Sequence, residues 1–405
     1  MHRDSMSSSP DAARALRVHF VVHHERDPHA GAAGATLSLA AALEQRGCTV
    51  SYFWMNDAFP SARGPEVLRM LRFPWKVSAH LARTARHVDV IDATTGDAWL
   101  WCTRGRPEGG PSALVTRSHG LEHVAVEDLR RRAATGEIDL SRKFAVYHGG
   151  LRLWEVARSV RCADAQLFLN PLDRDFAVAR LGMSPVAAAV VPNGVDSALL
   201  SLGRDVEPET PSPGEGTPIA LAFIGSWIPR KGIAAIAAAC AMLHRAGTRF
   251  TLRLLGTGVP DAEVLRSFER DVAPFVTAHR WYERRSLPSL LEGAELLLHP
   301  SWTEGFSLGL AEGMACGLAP LATRSGGATA VVRDDETGIL LEGSDSTSVA
   351  GAMATAITML AGDPSRRHRL RRAAQREARA LTWDHVAGLT LDVYAAAIAR
   401  RRVSQ

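Results

Sequence analysis

The chain has 405 residues, of which 46% are hydrophobic and 22% are charged, an ordinary balance for a globular protein. That length is too great for one ordinary hydrophobic core and predicts two domains of roughly 200 residues each. A formal net charge of +4 is too small to indicate a nucleic-acid-binding protein, so no nucleic acid is expected as a partner.

The N-terminal residues and the cysteines predict a cytoplasmic protein. Residues 1–15 are polar and are expected to be a disordered tail, and the apolar residues 18–22 are too few for a signal peptide. No apolar run approaches transmembrane length. The five cysteines are widely spread and contain no C-x-x-C pair, which disfavours a zinc site and a disulfide framework and favours a reducing compartment.

In the first half of the chain, short apolar runs alternate with helical patterns, which predicts a parallel α/β domain. Residues 16–22 predict the first strand, residues 23–34 a glycine-bearing loop, and residues 36–46 an amphipathic helix that Gly47 ends. Further strands are expected at 48–55, 88–92, 113–117, 166–169 and 188–191, and a long helix at 144–162.

Two short features of this half have a structural interpretation. Gly31 and Gly34 lie in the predicted loop without completing a G-x-G-x-x-G pattern, and a tight turn explains them. Asp173 and Asp175 form a D-x-D pair, but they open a predicted helix, where acidic side chains favour the macrodipole. No metal site is therefore expected.

Residues 66–86 mix large apolar side chains with Arg and Lys. Because basic amphipathic stretches bind anionic membranes, peripheral membrane contact is one interpretation of this segment. The favoured interpretation is a helix that Pro74 interrupts and that packs on the core with a solvated basic face.

Residues 201–218 are rich in Pro, Gly and acidic residues and have no period, so they predict a linker between two domains. Alternation of apolar runs and helical patterns resumes after it. In this second half, strands are expected at 219–224, 251–255, 296–299, 318–322 and 339–341, and helices at 346–361, 364–381 and 383–400.

A loop with two cations follows the first strand of the second half. It contains Gly225, Ser226, Arg230 and Lys231. Backbone N–H groups and cations at the carboxyl end of a parallel sheet can hold a diphosphate. Adjacent loop residues need not point the same way, so Arg230 is either a second phosphate ligand or a solvated surface residue.

Residues 299–323 predict a loop, a helix at 308–316 and the next strand, which together complete a βαβ crossover. Glu304 lies in the loop and Glu312 lies about one turn into the helix. The start of such a helix offers unpaired N–H groups to an anion. A buried carboxylate at the same place can accept hydrogen bonds from the two adjacent hydroxyls of a ribose.

The run from Glu304, Glu-Gly-Phe-Ser-Leu-Gly-Leu-Ala-Glu-Gly-Met-Ala-Cys-Gly, resembles the signature of the family-four retaining glycosyltransferases. The resemblance implies the GT-B fold, in which two Rossmann-like α/β domains face a cleft. It also implies transfer of a sugar from a nucleotide diphosphate sugar to an acceptor hydroxyl, with retention of configuration and with no metal or other cofactor. The expected divisions are a first domain at 1–200, a linker at 201–218, a donor-binding domain at 219–382 and a helix returning to the first domain at 383–405.

The resemblance also implies roles for individual residues. Glu312 is expected to hold the ribose and Glu304 the sugar hydroxyls, while Lys231 matches the lysine that binds the leaving phosphates. The family's arginine position is occupied by Ser226. The expected donor-binding residues are Gly31, Gly34, Gly225, Ser226, Arg230, Lys231, Glu304, Gly305, Phe306, Ser307, Leu308 and Glu312.

His119 matches the histidine that the family places opposite the donor sugar, and His123 is a weaker candidate. His119, Lys231 and Glu304 are the expected catalytic residues. The acceptor is open between a glycan, a lipid-linked molecule and a small molecule. A catalytically silent donor-binding subunit that partners an active transferase is the alternative, which Ser226 favours. An epimerase or phosphorylase of the same fold is a weaker third interpretation.

Overall fold

Two six-stranded parallel sheets form the framework of the protein. The structure is a computed structural model that describes residues 15–28, 31–61, 65–107, 110–207 and 217–403. Residues 1–14 of the expected tail and 208–216 of the expected linker lie outside the described residues.

The first sheet is built from strands of the N-terminal half, separated by helices. The strands are β1 (Arg17–Val22), β2 (Thr49–Trp54), β3 (Val90–Thr94), β4 (Ala113–Arg117), β5 (Ala165–Phe168) and β6 (Ala188–Val190). The helices are α1 (Gly31–Gln45), α2 (Met55–Ala58), α3 (Glu66–Thr84), α4 (Glu122–Ala134), α5 (Arg142–Val146), α6 (Arg152–Cys162), α7 (Pro171–Arg180) and α8 (Ser197–Leu202). All neighbouring strands are parallel, in the order β2-β1-β3-β4-β5-β6.

The second sheet repeats this architecture in the C-terminal half. Its strands are β7 (Ile219–Ile224), β8 (Phe250–Leu255), β9 (Val276–His279), β10 (Leu296–His299), β11 (Ala319–Thr323) and β12 (Ile339–Leu341). Its helices are α9 (Ile233–Arg245), α10 (Asp261–Leu265), α11 (Leu287–Leu290), α12 (Leu308–Ala315), α13 (Gly326–Thr329), α14 (Ser346–Gly362), α15 (Pro364–Ala380) and α16 (Trp383–Val403). The strands are again all parallel, in the order β12-β11-β10-β7-β8-β9.

The predicted strands could be recognised in the sequence because helices cover both faces of each sheet. Strands buried on two faces are continuous apolar runs, and β7 (IALAFI) and β10 (LLLH) have that character. The sequence analysis missed β9. Its residues, VTAH, are partly exposed at the edge of the sheet beside β8, so they lack the continuous apolar signal.

Three local predictions in the N-terminal half are corrected. Helix α1 begins at Gly31, so the expected tight turn at Gly31 and Gly34 is wrong. A Cβ on Gly34 would lie 2.5 Å from the Pro28 carbonyl oxygen. Glycine is therefore needed here because the preceding loop lies against the helix and leaves no room for a side chain. Helix α3 continues through Pro74, which is buried, so the expected interruption is wrong. The long helix predicted at 144–162 is instead α5, a π-helical turn (Tyr147–Leu151) and α6 in succession.

No helix within the described ranges is long and apolar enough to cross a membrane.

Each sheet has a point where the strand order reverses. This point lies between β1 and β3 in the first sheet and between β7 and β10 in the second. Open parallel sheets bind ligands at the carboxyl ends of the strands beside such a point. The loops that leave β1, β3, β7 and β10 are therefore the ones expected to build a site.

Helix α16 returns from the second sheet and packs on the first. Its Val386 and Tyr394 are buried in the same apolar core as Val18 and Val115. The Tyr394 hydroxyl donates to Asp92 Oδ2 over 2.6 Å, and the Arg117 guanidinium lies 2.8 Å from the same oxygen. All three side chains are buried. The C-terminal helix is thus tied to β3 and β4 by a charged network inside the core.

We expect Tyr394→Phe to destabilise the first half of the protein by about 1.5–3 kcal/mol, because it removes a hydrogen bond to a buried carboxylate. Tyr52→Phe, which changes a half-buried tyrosine on β2, is the matched control and should stay within about 0.5 kcal/mol of wild type. Urea unfolding of the three proteins measures both values. Equal midpoints for the two variants would show that the network does not hold α16.

Candidate functional site

A cleft of about 400 Å³ lies between the two sheets, at the carboxyl ends of the strands. Both halves of the chain contribute to its lining. The N-terminal half provides Gly31, Ala32, His119, Leu169 and Asn193. The C-terminal half provides Ile224, Gly225, Ser226, Arg230, Lys231, Tyr282, Arg284, Glu304, Phe306, Ser307, Leu308, Gly309 and Glu312.

The loops after β7 and β10 are joined to each other beside the cleft. The Trp302 N–H donates to the Arg230 carbonyl oxygen over 3.0 Å. Gly232 has a φ of +70°, and a Cβ on it would lie 2.1 Å from the Pro300 carbonyl oxygen. Only glycine fits this position, because the turn needs a left-handed backbone and the neighbouring loop leaves no room for a side chain.

Lys231 and Glu304 form an ion pair between these two loops. Arg230 Nη1 lies 3.4 Å from the other oxygen of the same carboxylate and donates to the Thr303 carbonyl oxygen over 2.9 Å. Burial alone would raise the pKa of Glu304, but the combined effects of Lys231, His299 and Arg230 outweigh it and the pKa is lowered. Glu304 is therefore ionised at neutral pH, with two cations beside it.

Glu312 lies inside helix α12, whose packing depends on two glycines. The Ser307 side chain caps the helix by accepting from the Leu310 N–H. A Cβ on Gly309 would lie 2.9 Å from the Ile224 carbonyl oxygen, and one on Gly313 would lie 2.6 Å from Leu297. These contacts bring the start of α12 directly against β7 and β10, where its free N–H groups face the cleft.

The Glu312 carboxylate is buried and pairs with Arg284 Nη2 at 2.8 Å. Burial raises the pKa of Glu312 to about 7, against the opposing effect of Arg284 and with a smaller contribution from Asp196. The carboxylate is therefore close to half protonated at neutral pH. Glu304 and Glu312 thus differ in charge state although they line the same cleft.

Two histidines beside these carboxylates are neutral. Burial and the Lys231 charge lower the pKa of His299 to about 3, and burial and Arg117 lower the pKa of His119 to about 3. His299 Nε2 is buried without a hydrogen-bond partner among the residues that the structure describes. At neutral pH neither ring carries charge, so His119 can act in the cleft through hydrogen bonding.

A second charged group, the N-terminal cluster, comprises His23, His24, Asp97 and Arg152. His23 Nδ1 lies 2.9 Å from Asp97 Oδ1, and Arg152 Nη1 lies 3.8 Å from the same oxygen. Burial raises the pKa of Asp97 to about 8, and burial with the neighbouring His23 lowers the pKa of His24 to about 4. Both histidines also influence the pKa of His119, so the cluster lies within electrostatic range of the cleft.

The two halves touch at a pair of glycines below the cleft. A Cβ on Gly305 would lie 2.4 Å from Gly120 Cα and 2.4 Å from the His119 carbonyl oxygen. The Asn170 amide donates to the Gly305 carbonyl oxygen over 2.8 Å. The Arg132 guanidinium also lies over the Trp302 ring, 4.1 Å from its centroid. The structure is therefore a closed arrangement of the two halves.

Most of the predicted site residues lie together. His119, Gly31, Gly225, Ser226, Arg230, Lys231, Glu304, Phe306, Ser307, Leu308 and Glu312 all line the cleft. Gly305 lies at the contact between the halves, Gly34 is buried in α1, and His123 lies on α4 beside Phe176. The D-x-D pair is structural, since Asp173 accepts from the Leu121 N–H and Asp175 pairs with Arg174.

Sequence reasoning missed Tyr282, Arg284, Asn193 and the N-terminal cluster. Arg284 begins a short 3₁₀ turn (Arg284–Ser286) before α11, whose polar residues give no apolar pattern. His23 and Asp97, in contrast, follow β1 and β3, the two strands at the point where the order reverses. Their position could have been recognised once the strand order was known.

Comparison with known proteins places the chain in a family. Residues 29–199 match the family described as Glycosyltransferase Family 4, and residues 218–359 match the family described as Glycosyl transferases group 1. The chain belongs to the family-four glycosyltransferases. The D-inositol 3-phosphate glycosyltransferase of Acidothermus cellulolyticus is 34% identical over 236 residues, which are 55% of this chain and 51% of that protein. The chain thus spans about half the length of that relative.

Another relative is the alpha-maltose-1-phosphate synthase of Mycolicibacterium smegmatis, 29% identical over 60% of this chain and 65% of that protein. Among solved structures, sucrose-phosphate synthase from Thermosynechococcus elongatus has a TM-score of 0.72 at 19% identity, covering 94% of this chain and 98% of the other. Anabaena HepE in complex with UDP has a TM-score of 0.64 at 19% identity, covering 94% and 100%. These likenesses confirm the predicted GT-B fold.

We expect Gly305→Ala to separate the two halves of the protein, because a methyl group 2.4 Å from Gly120 cannot be accommodated without movement of the backbone. Small-angle scattering should then give a larger radius of gyration than for wild type. Gly351→Ala is the matched control, since a Cβ at that position on α14 meets nothing within 4 Å. An unchanged scattering curve for Gly305→Ala would contradict the closed arrangement.

Proposed function

We propose that this protein transfers a sugar from a nucleotide diphosphate sugar to an acceptor hydroxyl, with retention of configuration and without a metal. The observation that carries the proposal is the placement of Lys231, Glu304 and Glu312 in one cleft at the carboxyl ends of β7 and β10. The relatives' names describe glycosyltransferases and sugar-phosphate synthases, and HepE was solved with UDP. The relatives' names support sugar transfer, and the HepE complex with UDP supports a nucleotide-linked donor.

The donor's diphosphate is assigned to the space between Lys231 and the start of α12. Helix N–H groups and a cation together stabilise a phosphate anion. Arg230 and Arg284 also line this space, so the charge lost at Ser226 is replaced by Arg230 of the same loop and by Arg284 of another segment. The ribose hydroxyls donate to the Glu312 carboxylate, which must therefore be ionised. Arg284, which pairs with this carboxylate, must then either leave one of its oxygens available or move away from it.

In the proposed reaction, the bond between the anomeric carbon and the leaving phosphate oxygen breaks. The acceptor oxygen bonds to the same face of that carbon, and the acceptor proton passes to the leaving phosphate oxygen. Negative charge grows on the diphosphate as it leaves, so Lys231 contributes most when that charge is greatest. Glu304 holds the sugar hydroxyls, and neutral His119 supplies a hydrogen bond from the opposite wall.

The proposed reaction uses no metal ion. Lys231 and the N–H groups of α12 take the place that a divalent cation has in metal-dependent sugar transfer. Within the described ranges, no group of three or more His, Cys, Asp or Glu side chains is arranged to hold a metal. Assays of the proposed reaction are therefore designed with EDTA present throughout.

We expect the affinity for a nucleotide sugar to fall as the pH is lowered from 8 to 6. Glu312 has a raised pKa of about 7, so below that pH it gains a proton and can no longer accept from both ribose hydroxyls as a carboxylate does. The decrease should be about tenfold between pH 8 and pH 6, of which about fivefold falls in the pH unit below the pKa. A nucleotide sugar is the appropriate ligand because its phosphate diester linkages do not titrate in this range.

Glu312→Gln is the control for this titration, since the amide cannot ionise. Calorimetry should give weak and pH-independent binding for Glu312→Gln. If that variant kept the pH dependence of wild type, the titrating group would lie elsewhere, and the ribose assignment of Glu312 would be wrong.

We expect Lys231→Ala to lower turnover at saturating donor by about a hundredfold, roughly 3 kcal/mol, because it removes a preorganised donor to the leaving phosphates. Arg230→Ala should cost about tenfold, since its guanidinium is 48% exposed and solvent screens it. Lys76→Ala, which changes an exposed lysine on α3, is the matched control and should be unaffected.

Initial rates measured with EDTA for the three variants test this prediction. A fully active Lys231→Ala enzyme would overturn the diphosphate assignment. Donor binding without turnover in wild type, across nucleotide sugars and hydroxyl acceptors, would instead support the silent donor-binding subunit.

A further inference from the structure

An apolar groove of about 870 Å³ lies in the N-terminal half, away from the donor cleft. One wall is α3, with Val67 and Leu71. The other is the segment from α5 through the π-helical turn, with Phe144, Val146 and Leu151. Val67, Val146 and Leu151 are 45%, 75% and 41% exposed, so several large apolar side chains face solvent at one concave place. Grooves of this size and character hold small molecules.

Tyr147 also lines this groove. Its hydroxyl oxygen is buried and has no hydrogen-bond partner among the described residues. Burial raises the pKa of Tyr147, opposed by Arg152 and assisted by Glu155 and Asp97, which shows that these charges lie within electrostatic range. A buried hydroxyl without a partner is costly, and a ligand's polar group can remove that cost.

The groove is also connected to the wall of the cleft. Arg69 on α3 pairs with Glu25 at 3.1 Å, and Glu25 directly follows His23 and His24 of the N-terminal cluster. Arg152 begins α6 directly after the π-helical turn that lines the groove, and its guanidinium lies 3.1 Å from Glu122 and 2.8 Å from the Thr95 carbonyl oxygen. The groove therefore adjoins the cluster that lies beside His119.

We propose that this groove holds the apolar part of the acceptor, which makes the acceptor an amphiphile. Its reactive hydroxyl lies in the polar cleft near His119, and its hydrocarbon or aromatic part lies between α3 and the π-helical turn. A polar cleft and an apolar groove that meet at one charged cluster fit a molecule with two such ends. This inference rests on the proposed function and names the class of acceptor.

The test measures binding of monomeric alkyl glucosides to the full chain. Methyl, butyl, hexyl and octyl β-glucoside share one head group and differ only in apolar length. Calorimetry below the micelle concentration should show affinity rising about fourfold for each added methylene once the chain reaches the groove. The titrations are run with a nucleotide sugar present and in its absence.

Charged substitutions in the groove should remove this dependence on chain length. Val67→Asp and Val146→Asp change exposed side chains, so folding is expected to be retained, and thermal melts verify it. Val186→Asp is the matched control, because Val186 is 78% exposed in the same half and lies outside the groove. That variant should bind octyl glucoside as wild type does.

Wild-type affinity that is independent of chain length would overturn the proposal. So would a dependence that survives both aspartate variants. Binding to phosphatidylcholine vesicles and the oligomeric state by sedimentation velocity are measured as well. Groove-dependent binding to vesicles without binding of monomeric glucosides would assign the groove to a membrane surface. Groove-dependent dimerisation would assign it to a second copy of the chain. Either result would overturn the acceptor assignment.

The same samples distinguish failure of this proposal from failure of the proposed function. Binding of a nucleotide sugar without any preference among glucosides would overturn the groove assignment alone. Binding of long-chain glucosides without binding of any nucleotide sugar would overturn the proposed function, and the acceptor assignment with it.

Discussion

The site depends on one ion pair, between Lys231 and Glu304, which joins the loops after β7 and β10. Because both residues are mostly buried, each would be costly without the other. Around them the two loops share the Trp302 to Arg230 hydrogen bond and the contact that requires Gly232. The pair therefore fixes the one lysine and the one ionised carboxylate that a departing diphosphate and a bound sugar would need.

The cleft wall formed by the N-terminal half is also built at the point where the strand order reverses, but its side chains differ from those of the C-terminal half. The loops after β1 and β3 bring His23 and Asp97 together, and Arg152 reaches them from α6. Arg152 is surrounded by carboxylates of Asp97, Glu122 and Glu155. Arg152 therefore has its charged and hydrogen-bonding partners within this half of the protein.

The sequence predicted the parts of the fold and site that depend on local signals. Strands β7 and β10 are recognisable as apolar runs, and the run from Glu304 to Gly317 predicted several residues that line the cleft. The sequence could not predict β9, whose edge position removes the apolar run, or the start of α1 at Gly31. Arg284, Asn193 and the N-terminal cluster reach the site only through strand order and the approach of the two halves. Those contacts join residues far apart in the chain, so no local sequence pattern predicts them.

The most direct measurement of the central claim is a thermal-stability panel of UDP-, GDP-, ADP- and dTDP-sugars with EDTA present. At least one of them should stabilise wild type, by about 2.7 kcal/mol at 100 times its dissociation constant. The same ligand should stabilise Lys231→Ala much less and Lys76→Ala fully. Stabilisation that is equal in wild type and Lys231→Ala, or that requires added Mn²⁺ or Mg²⁺, would contradict the claim that Lys231 binds the donor diphosphate without a metal.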